Sequence, residues 1–134
     1  MRLTRARLVW GGLALAALAA VTIVYAYEER LAQDHYMAGL GRIDAYAIGA
    51  QPSTLTIYFT VGAGDLVEGA TVREDARAVI VTVNTSVFVP RRGAFKNLAG
   101  YFRETSVILN APLGERVVID GGTGGSIPPS PGQH

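Results

Sequence analysis

The chain has 134 residues, with 12 Lys plus Arg, 11 Asp plus Glu and no cysteine, which excludes disulfides, thiolate metal sites, iron–sulfur clusters and cysteine nucleophiles. Arg2, Arg5 and Arg7 precede a long uncharged run, so beyond that run the remaining nine basic residues face 11 acidic ones. A soluble part with this balance lacks the clustered positive charge of a nucleic-acid footprint, and its length suits one small domain.

Residues 8–27, LVWGGLALAALAAVTIVYAY, contain no charge. Twenty residues make a helix of about 30 Å, enough to cross a hydrocarbon core. Trp10 stands at one end and Tyr25 and Tyr27 at the other, where amphipathic rings favour the two interfaces. The reading is a transmembrane signal-anchor, with a cytoplasmic basic stub at 1–7 and the rest of the chain outside by the positive-inside rule. The alternative is a cleavable signal peptide, for which Val24-Tyr25-Ala26 offers a cleavage site, and a secreted domain. Gly12, Ala16 and Ala20 recur every four residues, a spacing that lets membrane helices approach closely. The partners expected are therefore the lipid bilayer and another membrane protein or a second copy, with no nucleic acid.

Residues 28–42 are expected to form a juxtamembrane helix and linker, the helix continuing over 28–38 with Gly39 and Gly41 as stops. From residue 43 the period changes to two. In 54–61, TLTIYFTV, Leu55, Ile57, Phe59 and Val61 share one face, the mark of a strand with one buried side. In 77–89, Val79, Val81, Val83 and Val87 share a parity. Strands are also expected at 103–110 and 115–120, with weaker ones at 43–48 and 69–74. Tyr46, Tyr58, Phe95, Tyr101 and Phe102 are expected mainly in the core. Gly/Pro-rich turns separate the strands, and no helical pattern intervenes. The fold class is mostly β: one N-terminal transmembrane helix, then a small antiparallel β-sheet or sandwich domain over 43–121. Residues 122–134 read as a disordered tail.

No catalytic, cofactor or metal set assembles. The histidines, His35 and His134, lie at the membrane-proximal stretch and the last residue, so no Ser-His-Asp arrangement is available. Asp65, Glu68, Glu74 and Asp75 gather near a glycine-rich turn but lack the order of a calcium loop. Ion binding at Asp65 and Glu68 stays open. Arg91, Arg92 and Lys96 form the one basic cluster of the exported part and a candidate partner contact.

The segment Leu109-Asn110-Ala111-Pro112-Leu113-Gly114-Glu115-Arg116-Val117-Val118-Ile119-Asp120 resembles the C-terminal Leu-x-x-Pro-Leu-Gly-x-Arg-x-Val-x-Asp signature of small exported, lipoprotein-like actinobacterial proteins of unassigned function. Many of those carry a cysteine pair bridging the turn and the long loop; the matching stretches here, 64–66 and 93–96, have none. The resemblance implies an exported β-domain and brings no catalytic residue. Physically, Pro112-Leu113-Gly114 predicts a tight turn, and Arg116 and Asp120 a structural pair. The function expected is that of a non-enzymatic, single-pass membrane protein with an extracytoplasmic interaction or accessory-subunit module. A carboxylate-based envelope enzyme is the remaining alternative.

Overall fold

The computed structural model describes residues 4–131, with side chains from residue 15 onward. By internal contacts the chain divides into two units, Met1–His35 with Pro90–Ala94, and Tyr36–Val89 with Phe95–His134.

The first unit is built on α1 (Thr4–Leu31). Among the described residues no helix is long and apolar enough to cross a membrane. Of the uncharged run at 8–27, the described side chains cover only 15–27, roughly 20 Å of helix, short of a core of about 30 Å. The helix does not continue to residue 38 as expected. It stops at Leu31, and a strand begins at His35. The loop at Pro90–Ala94 returns to this end: Arg92 N–H donates to Leu31 O at 2.7 Å, and Arg91 N–H to Asp34 Oδ1 at 2.8 Å. One orphan carbonyl of the last helical turn is thereby satisfied from outside the helix.

The second unit is a single curled sheet built from β1 (His35–Ile48), β2 (Thr54–Gly62), β3 (Leu66–Glu74), β4 (Ala78–Val89) and β5 (Gly100–Ile108), in the order β3-β4-β1-β2-β5. The pairs β1–β2, β2–β5 and β3–β4 are antiparallel. A short sixth strand, β6 (Val117–Asp120), joins β4 in parallel, a departure from the all-antiparallel expectation. The sheet is one layer bent on itself, so the two end strands, β3 and β5, come close to each other.

Alternation explains the core. Leu55, Ile57 and Phe59 of β2 and Val79, Val81 and Val83 of β4 are all but sealed from solvent. They meet Val107, Leu109, Leu113 and Val118 inside the curl. Each such side chain contributes roughly 1.5–3 kcal/mol by leaving water. The aromatic residues divide differently from expectation. Tyr46 packs on the core, Tyr58 stacks on Phe102 on the outer face, and Phe95, Tyr101 and Phe102 are exposed.

β1 changes partners along its length. Its first half lies beside β4, where Gly39 sits against Val87 and Gly41 against Val83. A Cβ at Gly39 would fall 2.5 Å from Val87 Cγ2, and one at Gly41 3.0 Å from Val83 Cγ1. These glycines are therefore close-approach positions of a strand, not helix stops. A bulge between Ile43 and Ala45 then turns the strand, as an extra residue in a ladder does. Beyond the bulge β6 lies beside the start of β4.

The C-terminal segment is not a disordered tail over its described length. Residues 124–127 fold back on β6: Asp120 N–H donates to Gly125 O and Ile127 N–H to Val118 O. Ile127 is 3 % exposed and belongs to the core. Tyr46 N–H then donates to Pro128 O, and Ser130 N–H to Tyr46 O, which satisfies the free side of β1. One buried isoleucine and these four backbone bonds order a stretch whose composition alone signals disorder. Residues 132–134 lie outside the described residues.

Candidate functional site

The Pro-Leu-Gly-x-Arg stretch builds the most connected polar cluster. Gly114 takes φ = +57°, a left-handed value that suits a residue without Cβ. That turn lets Arg116 fold back over its own loop. Its Nη2 donates to Ala111 O and Pro112 O, both at 2.8 Å, and its Nε to Leu113 O at 3.2 Å. Its Nη1 donates to Glu74 Oε2 at 2.8 Å. The other oxygen of Glu74 accepts Asn110 N–H at 2.7 Å. The Asn110 N–H, the Arg116 hydrogen bond and the Arg116 charge together hold the Glu74 carboxyl below its ordinary pKa, against a smaller desolvation effect. The expected pairing of Arg116 with Asp120 is corrected here. Arg116 lies ahead of β6 and turns back to the end of β3, while the Asp120 carboxylate accepts Ile43 N–H at 3.4 Å and Gly122 N–H at 2.8 Å.

A second cluster sits at the other end of β3. Asp65 accepts three donors: Gly62 N–H at 3.0 Å, Phe88 N–H at 2.8 Å and Lys96 Nζ at 2.7 Å. Burial pushes its carboxyl up, but the Lys96 hydrogen bond, the two N–H groups and the Lys96 charge outweigh that, and its pKa is lowered. Asp75 is held low by N–H groups of Arg77 and Ala78 in the β3–β4 turn.

The four acidic residues do not form one turn cluster. Asp65 and Glu74 stand at opposite ends of β3, roughly 30 Å apart along an extended strand. Glu68 accepts Ser86 Oγ at 2.6 Å. No group of three metal-ligating side chains occurs among the described residues. Carboxylates kept ionised and saturated with donors are poor general acids, so these clusters are suited to holding the fold. A depression of about 610 Å³ is bordered by Arg42, Asp44 and Asp120. Asp44 there accepts Thr60 Oγ1 at 2.8 Å.

The basic cluster is divided among separate partners. Lys96 belongs to Asp65 within the sheet unit. Arg92 lies 3.7 Å from Glu28 within the helical unit, and both side chains are exposed. The Arg91 side chain is exposed and its N–H is tied to Asp34. In α1, Ala16, Ala20, Tyr25 and Tyr27 are exposed. Arg2 lies outside the described residues, as do the side chains of Arg5, Arg7 and Trp10 and the surroundings of Gly12.

The feature that sequence reasoning placed wrongly is the segment between Ala94 and β5. Phe95 is 99 % exposed and Leu98 93 %. Their signal was available as apolar residues in a stretch without alternation between Gly93 and Gly100. No family model, no curated protein and no solved structure matches this chain.

Proposed function

We propose that the chain is a non-enzymatic interaction protein, held at a membrane by residues 8–27 and presenting its sheet unit on the far side as a binding or accessory-subunit module. The observation that carries the interaction reading is the contrast between the two kinds of surface group. The paired charged side chains Asp65 with Lys96 and Glu74 with Arg116 are largely withdrawn from solvent, whereas Phe95, Leu98 and Phe102 face it. Apolar side chains of this size left in water mark contact surfaces when they cluster. The anchor reading is supported by the sequence: twenty uncharged residues, three arginines before them and aromatic residues at both ends.

The first test is the intact mass of the protein recovered from the membrane fraction of its own host. The expected result is the full 14.2 kDa. A soluble exported species shortened by the first ~26 residues would replace the anchor with a cleaved leader, leaving a secreted binding domain. The module reading is tested separately by size in mild detergent, where a complex larger than one chain plus its micelle is expected. A lone monomer would count against it.

A further inference from the structure

β5 is an end strand lying wholly within the sheet unit, and two backbone bonds fix its hydrogen-bonding parity. Leu109 N–H donates to Ser53 O and Ala63 N–H to Ala99 O. Both pairs continue the β2–β5 register, in which Thr54 faces Ile108 and Gly62 faces Gly100. Bonded pairs alternate along an antiparallel ladder, so the odd-numbered residues of β5 bond to β2. Gly100, Phe102, Glu104, Ser106 and Ile108 therefore aim N–H and C=O away from it. Among the described pairings no ladder takes these groups up. β3 draws near across the curl, yet Phe102 is 62 % exposed and Ile108 80 %, with Glu104 and Ser106 exposed between them. Native sheets blunt such an edge with proline, lysine or a bulge. Over 100–108 β5 has neither proline nor lysine, and its register with β2 runs without a shift.

We propose that β5 pairs antiparallel with the β5 of a second copy of this chain, about a twofold axis at Thr105. The inference rests on the interaction-module reading above and names its partner. A twofold strand pair is isologous and sets one residue opposite itself. With Thr105 at the centre, Phe102 stands opposite Ile108 of the second copy and Glu104 opposite its Ser106, each twice by symmetry. The exposed apolar side chains of the edge then cover each other. Each carboxylate meets a hydroxyl, as Glu68 meets Ser86 between β3 and β4. Neighbouring registers fail on charge. Centring on Glu104 sets two glutamates face to face, and centring on Arg103 two arginines; like charges directly opposite destabilise a strand pair. Centring on Ser106 sets Glu104 against Ile108. The strand thus carries its own complement in one register.

The chain has no cysteine, so Thr105→Cys in the full-length protein, in mild detergent, tests the axis directly. Thr105 bonds to β2, so between the copies it forms a non-hydrogen-bonded pair. Such a pair brings its Cα atoms to about 4.5 Å, within the disulfide range of roughly 4.4–6.8 Å. Thr105→Cys is expected to cross-link two chains under mild oxidation, and Arg103→Cys and Thr123→Cys are expected not to. Ser106→Pro is the second variant. Its ring removes an outward N–H and leaves the β2 ladder intact. It is expected to keep the wild-type circular dichroism and to lose the two-chain mass read by light scattering. The edge amides of β5 exchange freely in the single chain and are protected in the pair. Cross-linking at 103 or 123 as readily as at 105 would overturn the proposal, as would a dimer that survives Ser106→Pro. A monomer that enters a larger complex only on addition of host membrane protein would overturn the second copy and leave the module standing. A monomer under both conditions would overturn both.

Discussion

Arg116 differs from a surface arginine in that its donors meet three carbonyls of its own turn and one carboxylate 42 residues away. A planar fork can serve all of these at once, whereas an ammonium group cannot. Arg116→Lys should therefore keep the attraction to Glu74 but release the turn, and Arg116→Met should lose both. Thermal melts followed by circular dichroism are expected to rank wild type above Lys above Met, with Met lower by about 5–10 °C. Equal melting points for Lys and wild type would mean that charge alone matters at this site. The lowered carboxyl pKa values give a second test. Asp65, Glu74 and Asp75 each titrate lower in the folded chain than in the unfolded one. Their stabilisation is thus complete above the unfolded values near 4 and is lost as pH falls through the folded ones. Denaturant midpoints should be flat from about pH 7 to 5 and fall below about pH 4, with a shallower fall in Asp65→Asn/Glu74→Gln.

Among the elements, β2 and β4 were legible in the sequence because one buried face imposes a period of two that needs no distant information. The first half of β1 was not. Its residues favour a helix locally, and its glycines read as stops until β4 is laid beside them; the contact that decides the matter is some 45 residues away. The Arg116 partner was hidden for the same reason, since Glu74 is neither near in sequence nor on the same strand. The C-terminal segment was misread because glycine and proline outweigh one isoleucine in composition, yet that isoleucine is buried. Ile127→Ala should cost about 2–5 kcal/mol, the range for truncating a core isoleucine, measured by urea unfolding. A cost below about 0.5 kcal/mol, the level of an ordinary surface substitution, would mean that the segment is merely laid on the surface. Gly41→Val is expected to be at least as damaging, because the new methyls must displace Val83 and Phe59.

For the sheet unit as a whole, the notable feature is how its ends meet. β3 and β5 are neighbours across the curl, and no backbone ladder joins them among the described pairings. The seam is instead bracketed by side chains: Asp65 with Lys96 ahead of both strands, and Glu74 with Arg116 and Asn110 behind them. Backbone amides on the outer edges of β3 and β5 should accordingly exchange with solvent sooner than those of β2 and β4, which have neighbours on both sides. In Asp65→Asn/Glu74→Gln the β3 and β5 amides should speed up first, read by hydrogen exchange with mass spectrometry. Uniform acceleration across all strands would show that the seam opens only with global unfolding.

The backfold of residues 124–130 bears on how the sheet closes. Ile127 fills the core, and Pro128 and Ser130 complete an edge of β1, a strand synthesised some 80 residues earlier. Without residues 124–130 in place, β1 has a bare flank and the interior a gap. Topologies that join distant segments also fold slowly. A sheet that takes a core side chain and part of an edge from some 80 residues further along the chain therefore completes its interior only when those two stretches meet.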